Sequence, residues 1–214
     1  GSAVDFAAGT KDVFCTLPAS VAVFGKQEGT NFTDSLLVGH STTGTLSTAT
    51  ENTGVGIDAM DALTTGDKNT CVGHKAGTAL TTGGYNVFIG LEAGATMTGS
   101  GTSNVGLGAY ALGAANTGNN NVGIGTSAGQ AITGVHNICI GRDAGYNISS
   151  GSGNVNIGGA AAASATADRV LTIAGNDGST TTTWISGDNT GSVEINEAWN
   201  PTLSTTGKAF VMGF

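Results

Sequence analysis

The sequence predicts an all-β fold: a β-solenoid or β-roll of about eight 17-residue coils, closed by a C-terminal β cap. Three observations predict it. A unit built on Asn-x-x-(Val/Ile/Leu)-Gly begins at Asn52, Asn69, Asn86, Asn104, Asn121, Asn137 and Asn154, at spacings of 17, 17, 18, 17, 16 and 17 residues. Gly accounts for 37 of 214 residues, about 17% against a usual ~7%. Charged residues make up 10%, where ~25% is ordinary. Such a chain offers small side chains to a thin interior. The organisation read from this is an N-terminal segment over residues 1–34, a repeat shaft over 35–165 and a cap over 166–214.

In chain order, residues 1–34 do not fit the repeat. The opening Gly1-Ser2 pair reads as the scar of a cleaved tag, and Val21-Ala22-Val23-Phe24 predicts one or two strands. A degenerate eighth copy then starts at Ser35, 17 residues before Asn52. The fifth position is Gly in every copy: Gly39, Gly56, Gly73, Gly90, Gly108, Gly125, Gly141 and Gly158. A Gly fixed at one place per coil signals a positive φ, or a backbone packed too closely for a Cβ.

The second and fourth positions are mostly Val, Ile or Leu, as in Val87 and Ile89. They share one strand face, and that face is expected to point inward. The third position (Gly54, Cys71, Phe88, Gly106, Gly123, Cys139, Asn156) is then expected to face outward, where small residues and thiols suit close contact with another chain. Together with the thin core, this points to an oligomer. The eighth position is Ala from Ala59 to Ala161, with Thr42 in the first copy. The twelfth is Leu46, Leu63, Leu80, Met97, Ala115, Ile132 and Ile148. Four residues between these columns suit a short helical turn or a second short strand. The first-position Asn column can stack as an amide ladder. Adjacent Thr pairs, as in Thr64-Thr65-Gly66, read as corner hydroxyls that cap backbone groups.

After the array, Val170-Leu171-Thr172-Ile173, Thr183-Trp184-Ile185 and Val193-Glu194-Ile195 read as strands between Asn/Asp/Gly turns. They would cap the open edge of the last coil. The apolar tail, Phe210-Val211-Met212-Gly213-Phe214, is expected to pack on the cap or a partner.

Charge and motifs exclude several functions. Net charge is −8, and the basic residues are scattered, which disfavours nucleic acid. No apolar run reaches the ~18 residues of a membrane span, and nothing reads as a signal peptide. Cys15, Cys71 and Cys139 form no disulfide framework or metal motif. His40 and His74, at the sixth position two coils apart, are on the order of 10 Å from each other, too far for one zinc ion; His136 is the third histidine. Asp58, Asp61, Glu92 and Asp143 read as solvated turn residues, not as a glycosidase pair. The nonapeptide calcium pattern and any Ser-His-Asp order are absent. No cofactor, metal or enzymatic activity is therefore expected. Exposed aromatics are the usual platforms for sugars, so Tyr85, Tyr110 and Tyr146, with the corner residues His74 and Arg142, are the candidate glycan-binding positions. Trp184 and Trp199 are read as packing at a chain interface.

The units Asn86-Val87-Phe88-Ile89-Gly90 and Asn121-Val122-Gly123-Ile124-Gly125, each continuing to an Ala-Gly step and a Thr-Gly corner, resemble the repeats of phage tail-fibre proteins. Similar arrays occur in bacterial fibre-like surface proteins. The unit is also similar to the shorter head repeat of trimeric autotransporter adhesins. The run from Leu171 to Asp188 and on to Asn196 resembles the segment that precedes an intramolecular chaperone in such fibres. The resemblance covers about 160 residues and is specific for architecture more than for function. It implies a homotrimer on the virion that attaches to a host-surface glycan or outer-membrane receptor. The alternatives carried with it are a polysaccharide-degrading tailspike and an adhesin on a cell surface.

Overall fold

The computed structural model describes residues 26–29, 32–39, 46–114, 118–162 and 164–195. The stretch at residues 21–24, His40, Thr42, Cys15, Ala115, Trp199 and the tail at 210–214 lie outside the described residues.

The expected β-solenoid is present, with no helix among the described residues. Strand β1 (Lys26–Gly29) pairs antiparallel with β2 (Phe32–Val38), and β3 (Ala49–Thr50) adds to the start of β2. Seven three-residue strands then stack in parallel on β2, one per coil. They are β4 (Thr53–Val55), β5 (Thr70–Val72), β6 (Val87–Ile89), β7 (Val105–Leu107), β8 (Val122–Ile124), β9 (Ile138–Ile140) and β10 (Val155–Ile157). Their register is strictly column on column, for example Val87↔Val105 and Ile89↔Leu107. Strand β11 (Leu171–Asn176) continues the parallel stack. The antiparallel strands β12 (Thr181–Gly187) and β13 (Val193–Ile195) then close the sheet.

The rest of each coil is neither the short helix nor the second strand that the spacing allowed. It is a run of hydrogen-bonded turns, such as Ala59 N to Gly56 O at 3.3 Å and Leu63 N to Met60 O at 3.1 Å. Left-handed residues recur at the seventh and ninth positions (Asp58 φ 57°, Met60 φ 56°; Tyr110 φ 60°, Leu112 φ 51°), which no helix tolerates. These turns still bond from coil to coil: Met60 N to Ala76 O and Ala62 N to Thr78 O are both 3.0 Å. The whole perimeter, not only the strand, is therefore laddered.

Two columns anchor this stacking. Glycines at the fifth position have φ up to 139°, and a Cβ on any of them from Gly56 to Gly158 would lie under 3.0 Å from backbone of the following coil. Neither the φ nor the space admits another residue. The asparagines are fully satisfied as a ladder. Asn69 Nδ2 donates to Asn52 Oδ1 at 3.0 Å and to Gly83 O, across its own coil, at 2.9 Å. The Asn69 backbone N–H donates to the same Asn52 oxygen. The ladder begins at Ser35, whose hydroxyl accepts from Asn52 N at 2.7 Å, and ends where Asn154 Oδ1 accepts from Val170 N at 2.8 Å.

The expected sidedness of the strands is reversed. The third position faces the interior: Leu37, Cys71, Phe88, Cys139 and Asn156 are all fully buried. The second and fourth positions lie outside. The reason is the narrow bore, which holds about one large side chain per coil from the third and ninth positions together. Where the third residue is large (Cys71, Phe88, Cys139), the ninth is Gly77, Gly94 or Gly145, and a Cβ there would run into that side chain at 2.7, 2.6 and 2.5 Å respectively. Where the third is Gly54 or Gly106, the ninth is Met60 or Leu112. The coil with both Gly123 and Gly129 is filled by Leu112 from the coil before, whose side chain lies 3.1 Å from where a Cβ on either glycine would stand. The eighth-position alanines and the twelfth-position Leu63, Leu80, Met97, Ile132 and Ile148 complete the core as expected.

One register detail also differs. The coil from Asn154 to Val170 is a residue short, so Ala160 occupies the alanine column and Ala161 is exposed.

Candidate functional site

The outer surface has three distinct regions. The first is the outer face of the parallel sheet. Its second and fourth columns, from Thr53 and Val55 to Val155 and Ile157, contain no charged residue. Ile89 is 42% exposed, and Val55, Ile124, Ile140 and Ile157 are similarly open. Ile57 and Leu91, both exposed at the sixth position, widen this apolar strip at its edge. Parallel sheets are ordinarily covered on both faces. Here the bore covers one face only.

The corners form the second region, and the five candidate glycan residues are distributed over them. His74 and Arg142 are both at the sixth position but four coils apart, on the order of 19 Å along the axis. Tyr110 lies at the seventh position, Tyr146 at the tenth, and Tyr85 at the last, on the opposite corner. They are not gathered into one site. Arg142 and Tyr146, both exposed, share a coil; the Arg142 guanidinium lies 3.2 Å from Asp143. Tyr85 is 60% exposed, but Lys68 covers one face of its ring, with Nζ 5.0 Å from the centroid and donating to the hydroxyl at 3.3 Å. Lys68 also lies 3.8 Å from Glu51. The Tyr85 hydroxyl, and after it the Glu51 charge, raise the Lys68 ammonium above its ordinary pKa. The carboxylates Asp58, Glu92 and Asp143 occupy the seventh position in three different coils, and Asp61 shares a coil with Asp58.

The cap is the third region. Most of β12 and β13 is exposed, including Val193 and Ile195. Trp184 lies over Gly175, where a Cβ would strike its ring. Two aspartates tie the turns. Asp177 Oδ1 accepts from Thr180 N and Ser179 N at 2.8 and 2.9 Å. Asp188 Oδ1 accepts from the Thr190 hydroxyl at 2.6 Å, and from Thr190 N and Ser192 N. These bonds hold both carboxyls below the usual range. An open cleft of about 260 Å³ separates the cap from the last coil, lined by Ser164, Val170, Ser186 and Asp188 among others.

Inside, burial pushes the Cys139 thiol up to about 12 and Cys71 further in the same direction. Among the described residues no group of three or more His, Cys, Asp and Glu is placed to hold a metal ion, and no helix is long and apolar enough to cross a membrane. Sequence reasoning misses the outer aliphatic strip. The large-for-Gly exchange between third and ninth positions is the signal that could reveal it. Neither a protein-family model, nor a curated protein, nor a solved structure matches this chain.

Proposed function

We propose that the chain is a segment of a homotrimeric phage tail fibre: a rigid shaft with a β cap that positions or forms the tip attaching to a host-surface glycan or outer-membrane receptor. The observation that carries this reading is the bare aliphatic strip on a parallel sheet. Each coil closes through its own turns, ladder bonds and buried side chains, so the strip contributes nothing to closing the coil. It repeats at the ~4.8 Å strand spacing, and a second and third copy of the same chain repeat at the same interval. Three strips brought together along a common axis would bury this uncovered face of the sheet. The corners and the cap then remain outside, free to meet a receptor.

The role proposed is binding and support rather than catalysis. The location proposed is the virion. Light scattering on the purified chain tests the assembly: a mass three times that of the 20.9 kDa chain is expected, and a monomer at micromolar concentration rejects it. Labelled protein titrated onto bacterial cells, with and without their surface polysaccharide, tests the attachment role. Absence of binding across intact hosts whose phages carry the repeat would overturn it.

A further inference from the structure

Apart from the asparagine ladder, the bore is lined by apolar side chains until its last coil. Its third-position column runs through Leu37, Cys71, Phe88 and Cys139, then changes to Asn156, whose register partner in β11 is Thr172. Asn156 is fully buried, yet neither Nδ2 nor Oδ1 has a hydrogen-bond partner among the protein atoms. The other buried asparagines from Asn52 to Asn154 are all bonded in the ladder, so Asn156 is an exception to a rule the fold otherwise keeps.

The wall facing Asn156 is also thinned. Gly145 N donates to Ala160 O at 2.9 Å as Gly129 N does to Ala144 O at 2.8 Å, which aligns Ala160 with Ala144. Ser149 N donates to Ala165 O as Thr133 N does to Ser149 O, both at 2.8 Å, so Ser164 stands where the preceding coil has Ile148. Asn156, Ala160 and Ala162 are thus the buried side chains of a coil that in its neighbour holds Cys139, Ala144 and Ile148, while Ser164, at the Ile148 register, is half-buried and accepts from Thr166 N. An amide offers two donors and a carbonyl oxygen with two lone pairs. Leaving all of them empty is costly, whereas a buried amide without protein partners is the kind of group that internal water serves, typically with about three hydrogen bonds.

We propose that Asn156 binds an internal water molecule in the bore, shared with the Thr172 hydroxyl of the next strand. This water ends the dry core at the coil from which the chain leaves the solenoid for its cap. It follows from the interior of one chain and is independent of how chains assemble.

The test is a crystal structure at about 1.5 Å of the native chain and of Asn156→Cys, which places there the residue this column already uses at Cys71 and Cys139. The native crystal should show a density peak within about 3 Å of both amide atoms. The variant should keep the coil hydrogen bonds and lose the peak. A native bore with no peak, or an amide bonded directly to the Thr172 hydroxyl, overturns the proposal, as does a peak that persists unchanged in the variant. Should the variant not fold, the native density alone decides.

Discussion

Gly90 illustrates how little latitude a single position has in this fold. Its φ is 139°, and an added methyl would press on the Gly108 carbonyl and Ala109 N. Gly90→Ala is expected to destabilise by at least ~3 kcal/mol, since both strain and overlap must be relieved. Gly99→Asn, at φ 60° with open space around it, should change stability by under ~1 kcal/mol. Thermal unfolding of the two variants checks the contrast. Asn86 is the corresponding polar case. Its Nδ2 donates to Asn69 Oδ1 and Gly101 O, and its Oδ1 accepts from the N and Nδ2 of Asn104. Asn86→Ala orphans buried groups on both sides and should cost about 2–4 kcal/mol by denaturant titration. An equal cost for a solvent-facing substitution such as Thr82→Ala would contradict the assignment.

A coil is the smallest unit in which the core makes sense, because its third and ninth residues share one space. Gly94→Leu alone collides with Phe88, and Phe88→Gly alone empties the coil at about 3–5 kcal/mol. The double variant recreates the Gly106–Leu112 arrangement, in which the ninth residue fills the bore from the opposite side. It should recover most of the loss, read as a favourable coupling in a double-mutant cycle. This exchange explains what is legible in the sequence and what is not. The Gly and Asn columns are readable because each contact is repeated from coil to coil and admits one residue type. The sidedness of the strand is not: both faces are apolar, and alternation separates two faces without saying which is inside. Uniform Val and Ile suggest a core, whereas the true interior is irregular because its large residues alternate between two columns. The separation of His74 from Arg142 by four coils is legible from the repeat, whereas the Lys68 cover on the Tyr85 ring is hidden, since it depends on how side chains of successive coils lie at one corner. The cap hairpin is the element whose stability depends on pH. Asp177 and Asp188 have folded pKa values below the ordinary carboxylate, so their contribution is present above the unfolded value near ~3.9. It is lost as pH falls through the lower folded values. Trp184 fluorescence should therefore report acid loosening of the hairpin below about pH 4, and Asp177→Asn with Asp188→Asn should remove that pH dependence.

Over the whole molecule, the proposed assembly makes the outer strip the site of greatest leverage. Ile89→Lys with Ile124→Lys would place six charges on the axis of a trimer while touching no interior contact of the single chain. Loss of the trimer by light scattering, with the β-sheet circular dichroism of the monomer retained, is the expected result. A trimer that survives both lysines would move the interface elsewhere. The ladder has one more consequence, which is mechanical. Its hydrogen bonds run along the solenoid axis, so axial tension loads all the bonds between two coils together, while successive coils carry the load in series. A coil cannot be peeled bond by bond from within the stack. It yields whole, and each 17-residue unit then releases on the order of 55 Å of chain, which makes the shaft stiff under small loads and extensible in discrete steps under large ones.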